Sequence, residues 1–129
     1  AHPIGAAAGI ANLKLIDDLN LVQNAGTVGA HFKAALKAEV GDHAHVGEVR
    51  GEGLLCAVEF VKDPETRTFF DPSEGIGAKL AGALLSEGVI ARAMPQGDIL
   101  GFAPPFCLTE AQADEIATKL GRAVRSVLG

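Results

Sequence analysis

Aromatic residues, clustered basic residues and long apolar runs are all scarce in this sequence. Tryptophan and tyrosine are absent, and the aromatic residues are six phenylalanines. The sequence therefore offers few side chains on which nucleic-acid bases could stack. The formal net charge is −5 and no cluster of lysine or arginine forms a basic patch, which argues against a nucleic-acid partner. No apolar stretch approaches the roughly 18 residues that span a bilayer, so we expect no membrane partner.

Cysteine is scarce as well. Cys56 and Cys107 both lie in apolar runs, and neither belongs to a Cys-x-x-Cys pair. We expect both to be buried free thiols, which fits a reducing, cytoplasmic location. A secretory signal pattern is not recognisable. The sequence starts at Ala1-His2-Pro3 without a methionine, which suggests a segment of a longer protein.

Hydrophobic residues are plentiful, at 48% of the sequence, which is enough for one domain with a real core. Helical spacing predicts a helix from Pro3 to about Asp18, and a second one with its apolar stripe between Leu21 and Val40. A third helix should be capped by Asp71 or Ser73 and end at Gly88. The last helix should open with a capping box at Thr109–Gln112 and turn one apolar face inward. Its predicted inward residues are Ala113, Ile116, Leu120, Val124 and Val127.

Four strands are predicted between these helices, because the apolar period changes to two. They are Val46–Arg50, Leu54–Val61, Val89–Ala93 and Ile99–Ala103. The segment Gly51-Glu52-Gly53 is expected to be a tight kink or bulge. The strands come in adjacent pairs within the order α-α-β-β-α-β-β-α. The predicted fold class is therefore α+β, with a mostly antiparallel sheet of about four strands and helices on one face.

The last two strands flank the turn Met94–Gly97 and predict a β-hairpin, with Gly97 left-handed. One long charged side chain, Arg92, interrupts the first apolar run, and Gly101 nearly opposite would leave room beside it. A guanidinium group in an apolar hairpin is suited to bind a carboxylate or phosphate in bidentate geometry. Two other interpretations stay open at this point: Arg92 points into water, or it pairs diagonally with Asp98.

Catalytic and metal-binding patterns are weak. His43 and His45 lie two residues apart, but a metal site needs three or four converging ligands. No Gly-x-Ser-x-Gly nucleophile elbow occurs. The six lysines each fall on the polar side of an element or in a turn, and none is placed like a desolvated Schiff-base lysine. The residues alone therefore indicate an anion-binding arginine and a helix N-terminus at His2 whose backbone amides could bind an anion. They indicate no catalytic residues.

Three blocks of the sequence resemble the C-terminal part of class III (omega-type) aminotransferases. His2–Ala8 resembles the family segment S-G-H-P-x-x-A-A-A, and Val46–Leu55 resembles V-G-x-V-R-G-x-G-L-M. The third block runs from Gly88 to Pro105 and continues to the helix start at Thr109-Glu110. Each block alone is weak, but three in order at family-like separations cover essentially the whole chain.

The resemblance implies a fold-type I enzyme that depends on pyridoxal 5′-phosphate (PLP). Residues 1–129 would be its small C-terminal domain, and residues 1–18 would be the helix leading from the absent large domain that carries PLP. The Schiff-base lysine would lie upstream, so the resemblance implies no catalytic or cofactor-binding residue here and no PLP bound to this chain alone. The implied partners are the large domain, a second subunit in a homodimer, and an amino acid, amine or keto acid such as pyruvate.

Arg92 matches the mobile arginine of the family, which binds the carboxylate of an amino or keto acid and swings away from a plain amine. Arg50 is expected to be structural. The implied activity is amino transfer by the full-length protein, with this chain inactive alone. Two alternatives stay open: a stand-alone module that binds a small anion and regulates a partner, and a purely structural fragment. We also expect exposed apolar surface around Gly5–Gly9 and on the Arg92 face of the hairpin.

Overall fold

The computed structural model describes residues 2–129, and its element order is the one that the sequence predicts. Ala1, the first residue of the expected leading segment 1–18, lies outside the described residues. The helices are α1 Pro3–Asp18, α2 Leu21–Val40, α3 Ile76–Ser86 and α4 Glu110–Leu128. The strands are β1 Val46–Glu52, β2 Leu55–Phe60, β3 Arg92–Ala93 and β4 Asp98–Phe102.

The strands form one antiparallel sheet in the order β1-β2-β4-β3. Alternate residues of the two central strands face the core. They are Cys56, Val58, Phe60, Leu100 and Phe102, and all are buried. Helices α2, α3 and α4 cover this face, and Phe32 of α2 meets Phe102 edge to face with ring centroids 5.8 Å apart. The predicted α+β class, with helices on one face of an antiparallel sheet, is confirmed.

A regular hairpin turn follows β1, so the expected kink or bulge at Gly51-Glu52-Gly53 was wrong. Strand β1 continues to Glu52, which pairs with Leu55, and Gly53 and Leu54 make the connection. Gly53 is left-handed, with φ +53°, which a two-residue hairpin turn favours. The irregular register lies instead at the start of β1, between Val46 and Glu48.

Helix α3 starts differently from the prediction. Asp71 does cap, in a capping box with Glu74, but it caps the short 3₁₀ turn Pro72–Glu74. Helix α3 begins only after Gly75, which is left-handed and offers no side-chain cap. Asp98 supplies the missing acceptor from strand β4, with its Oδ1 2.7 Å from the amide nitrogen of Gly77. The cap therefore comes from 21 residues further along the chain.

The end of α3 shortens the strand that follows. Gly88 is left-handed, with φ +83°, as expected of a glycine that ends a helix. The amide of Val89 then donates to the carbonyl of Leu84 at 3.0 Å, which commits this residue to the helix end. The strand predicted from Val89 consequently begins only at Arg92, and the Ile90 side chain between them is exposed.

Helix α1 is the least packed element. None of its 16 residues, all described, is buried. Four of its five large apolar side chains are exposed, namely Ile4, Ile10, Leu13 and Leu15, and the fifth, Ile16, is half-buried. The expected apolar surface around Gly5–Gly9 is therefore present. Among residues 2–129, no helix combines the length and the hydropathy needed to cross a membrane.

The two cysteines differ in exposure, so the expectation of two buried thiols was wrong for Cys107. Cys56 is buried in β2, and burial raises the pKa of its thiol. Cys107 is exposed because the turn after Pro104-Pro105 carries it outward. The next residue, Leu108, enters the core in its place.

Candidate functional site

The face of the sheet opposite the helices carries the candidate site, and we call it the open face. The alternation of β-strands assigns to this face Glu48, Arg50, Glu52, Leu55, Ala57, Glu59, Arg92, Ile99 and Gly101. Leu55 is 68% exposed here, whereas its neighbour Cys56 on the other face is buried. The open face is thus a mixed apolar and charged surface.

One row across the open face has an arginine at each end. Arg50 pairs with Ala57, Ala57 with Gly101, and Gly101 with Arg92. Three strand spacings separate the arginine backbones by about 14 Å. The two central positions carry the smallest side chains, so the row forms a groove. A cavity of about 550 Å³ opens over it, with Met94 among the residues of its wall.

The charge of Arg50 is compensated within the sheet. Its Nη1 donates to Glu48 at 2.8 Å and also to Glu59, the less exposed of the two carboxylates. The hydrogen bond with Glu59, followed by that with Glu48, raises the pKa of the guanidinium. Arg50 therefore makes the structural pairing that the sequence predicts.

Arg92 has a different environment. Its side chain is exposed, and no carboxylate within residues 2–129 forms a salt bridge with it. Gly101 stands directly opposite, as predicted, and the space above this glycine is bordered by the Met94 sulfur. The alternative pairing of Arg92 with Asp98 was wrong, because Asp98 binds the amide of Gly77 instead. An anion arriving at the groove would meet an uncompensated guanidinium.

The turn that follows Arg92 has the predicted hairpin form. Gly97 is left-handed, with φ +71°, and the amide of Met94 donates to the carbonyl of Ile99 at 2.9 Å. The sequence did not predict the contact of Asp98 with α3. A signal for it exists: the alternation places Asp98 on the same face as Leu100 and Phe102, where a carboxylate needs a donor.

The histidine pair lies away from this face. The Nδ1 of His45 lies 3.0 Å from the carbonyl oxygen of Lys62. Burial, and then the charge of His45, lower the pKa of His43. Across residues 2–129, histidine, cysteine and acidic side chains do not gather in groups of three or more that could hold a metal ion.

The sequence matches the family model described as Aminotransferase class-III over residues 1–124. The diaminobutyrate–2-oxoglutarate transaminase of Halomonas elongata is 49% identical over 126 residues, which cover 98% of this chain and 27% of that protein. The mitochondrial gamma aminobutyrate transaminase 1 of Solanum lycopersicum is 31% identical, over 96% of this chain and 24% of that protein. The chain thus spans about a quarter of the length of these curated relatives.

Solved structures agree with these relatives. A transaminase from work on directed evolution by ancestral reconstruction superposes with a TM-score of 0.95 and 52% identity, over 98% of this chain and 28% of its own. An omega-transaminase from Thermomicrobium roseum superposes with a TM-score of 0.92 and 34% identity, over 99% and 28%. These matches support the transaminase interpretation over a stand-alone anion-binding module. The chain belongs to the class III aminotransferase family, and its fold matches the small domain of a fold-type I enzyme.

Proposed function

We propose that residues 1–129 are the C-terminal small domain of a PLP-dependent transaminase, in which Arg92 binds the carboxylate of the substrate. The match to about a quarter of each relative supports a larger partner domain. Residues 1–18 would form the connection to it, which the exposed apolar side chains of α1 support. A homodimer is proposed by analogy with the family alone.

The contrast between the two arginines of the open face carries the proposal. Arg50 is bound by two carboxylates, whereas Arg92 is exposed and without a salt bridge among the described residues. A planar guanidinium can hold both oxygens of a carboxylate. The small residues Ala57 and Gly101 leave space for a ligand in the groove.

The cofactor would reside outside this chain. When bound, PLP supplies the electron sink for amino transfer. A lysine that carries it needs desolvated surroundings, yet four of the six lysines are exposed. Of the two half-buried ones, Lys33 donates to the carbonyl of Gly51 at 3.0 Å and Lys119 pairs with Glu115 at 2.6 Å. The residues of this chain therefore do not fit the cofactor, and the chain alone is proposed to be inactive.

The task left to this chain is orientation of the substrate. By holding a carboxylate, Arg92 would fix one end of an amino acid or keto acid and so reduce the entropy lost on reaching the reactive geometry. The two relatives named above act on diaminobutyrate and 2-oxoglutarate and on gamma aminobutyrate. A third relative, the putrescine–pyruvate aminotransferase of Pseudomonas aeruginosa, is 31% identical over 91% of this chain and 25% of that protein. We propose an amine or amino acid as donor and a keto acid such as pyruvate as acceptor.

The substitution Arg92→Ala in the full-length protein tests this proposal. The half-reaction with an amino acid should lose about 10- to 100-fold in kcat/KM, since a charge-assisted hydrogen bond is worth about 1.5–3 kcal/mol. The half-reaction with an amine that has no carboxylate should change less than about twofold on the same reasoning. Stopped-flow absorbance of the cofactor measures both half-reactions.

Arg122→Ala is the matched control. It removes a guanidinium that pairs with Glu87 in the helical layer, at 3.2 Å, away from the open face. Both half-reactions should survive it unchanged. An equal loss on both substrates with Arg92→Ala would remove the proposed carboxylate-binding role.

A further inference from the structure

The hairpin that carries Arg92 is tied to helix α3 by one side chain. Asp98 accepts a hydrogen bond from the amide of Gly77, the second residue of α3, at 2.7 Å. This amide is one of the helix N-terminal donors that lack an intrahelical partner. The positive end of the helix dipole also favours a carboxylate there. The bond is therefore both a cap for the helix and an anchor for the strand.

Strand and helix lie close together at this point. A methyl group added at Gly77 would lie 3.4 Å from both the Cα and the Oδ1 of Asp98. Asp98 is also the first residue of β4 and pairs with Phe60 of the buried face. The end of the hairpin turn is therefore held in two directions, by the sheet and by the helix.

Apart from this anchor, the turn is closed by the backbone hydrogen bond from the amide of Met94 to the carbonyl of Ile99. Strand β3 is only two residues long, Arg92 and Ala93. The turn residues 95–97 are exposed, and a cavity of about 500 Å³ lies between the turn and the segment 69–72. Without the anchor, the turn has space into which it can move. Because Arg92 and Asp98 lie at the two ends of this turn, movement of the turn displaces the guanidinium.

We infer that Asp98 is a positioning residue, which fixes the hairpin so that Arg92 meets a substrate carboxylate in bidentate geometry. The inference rests on the proposed role of Arg92. Asp98 would touch neither the substrate nor the cofactor. Asp98 acts only by placing the arginine. Replacing Asp98 should therefore impair the reaction of substrates that carry a carboxylate and spare the others.

The test compares Asp98→Ala with Asp98→Asn in the full-length protein. Alanine removes the acceptor, whereas asparagine keeps an oxygen near the position of Oδ1. Asp98→Ala should raise KM for an amino acid about tenfold, as expected for a misplaced binding group. The half-reaction with an amine lacking a carboxylate should stay within about twofold. Asp98→Asn should retain most of the amino-acid activity.

The anchoring of the hairpin can also be measured without an activity assay. Hydrogen–deuterium exchange, measured by mass spectrometry, should be faster in peptides covering residues 90–99 of Asp98→Ala than in the parent. Thr109→Ala is the matched control, because it removes the side-chain cap of α4 without touching the hairpin. Its exchange at residues 90–99 and its amino-acid KM should be unchanged.

The outcomes separate the inference from the proposed function. Equal loss of the two half-reactions in Asp98→Ala, or unchanged exchange at residues 90–99, would overturn the positioning role. If Arg92→Ala fails to discriminate the two substrates, the proposed function fails whatever Asp98→Ala does. If Asp98→Ala does not fold, Asp98→Glu replaces it. Glu keeps the charge but moves the acceptor by one bond, so a smaller loss with the same selectivity is expected, and a nonselective loss would overturn the inference.

Discussion

Helix α2 passes the β1–β2 hairpin at a distance that only glycine permits, and this makes a sharp stability test possible. A Cβ added at Gly29 would lie 2.7 Å from the Cα of Gly53 and closer still to its carbonyl group. Carbon atoms in ordinary contact are about 3.5–4.0 Å apart. Gly26, one turn earlier in the same helix, is exposed and has no neighbour within 4 Å of such a Cβ. The two glycines differ only in what faces them.

The two substitutions should move stability in opposite directions. Gly26→Ala gains about 1 kcal/mol of helix propensity and loses no contact among the described residues. Gly29→Ala gains the same propensity but forces helix and hairpin apart, and overpacking of this kind costs about 3 kcal/mol. The net expectation is a loss of about 2 kcal/mol for Gly29→Ala. An unfolding entropy of about 2.1 cal/mol/K for each of the 129 residues gives about 270 cal/mol/K in total.

With that entropy, a change of 1 kcal/mol in the free energy of unfolding shifts the melting temperature by about 4 °C. We therefore expect Gly26→Ala to melt about 4 °C higher than the parent chain and Gly29→Ala about 7 °C lower. Thermal unfolding of the 129-residue chain, followed by far-ultraviolet circular dichroism, measures the difference. If both variants melt higher, by similar amounts, helix and hairpin are not in close contact at Gly29.

Two further predictions concern titration and reactivity. The pKa of His43 is lowered below its ordinary value of 6.5, so the unfolded chain binds more protons and the free energy of unfolding should fall as the pH drops through 6.5. Urea unfolding at several pH values measures this dependence. The free energy of unfolding should change less steeply with pH in His43→Gln than in the parent chain, and an equally steep change would contradict the lowered pKa of His43. Iodoacetamide should label Cys107 rapidly in the native chain and Cys56 only after denaturation, because Cys56 is buried with a raised thiol pKa. Mass spectrometry of the labelled peptides decides this, and early labelling of Cys56 would be the contrary result.

Much of the fold follows from local patterns. The stripe on α2 predicts burial of Val28, Phe32 and Leu36, and all three are buried. The capping box of Thr109 and Gln112 marks the start of α4, with the Thr109 hydroxyl accepting from the amide of Gln112. These features are predictable because each depends on residues within four positions of one another.

The errors have two physical causes, which are a partner distant in the sequence and a competing use of the same residue. Asp71 has the chemistry of a helix cap, but it caps the 3₁₀ turn, and Asp98 supplies the acceptor for α3. Val89 has the composition of a strand residue, but its amide completes the end of α3. Cys107 lies in an apolar run, yet the turn after two prolines directs it outward. Local propensity does not encode these competitions.

Residue chemistry alone could not tell which arginine of the open face is free for a ligand. The register now gives the reason. Glu48 and Glu59 stand directly opposite each other on β1 and β2, where two like charges destabilise a sheet. Arg50 binds both, so releasing it to a substrate would expose that repulsion. Within residues 2–129, Arg92 forms no salt bridge with a carboxylate. Arg92 can therefore exchange its water for a substrate carboxylate at a lower energetic cost than Arg50 can.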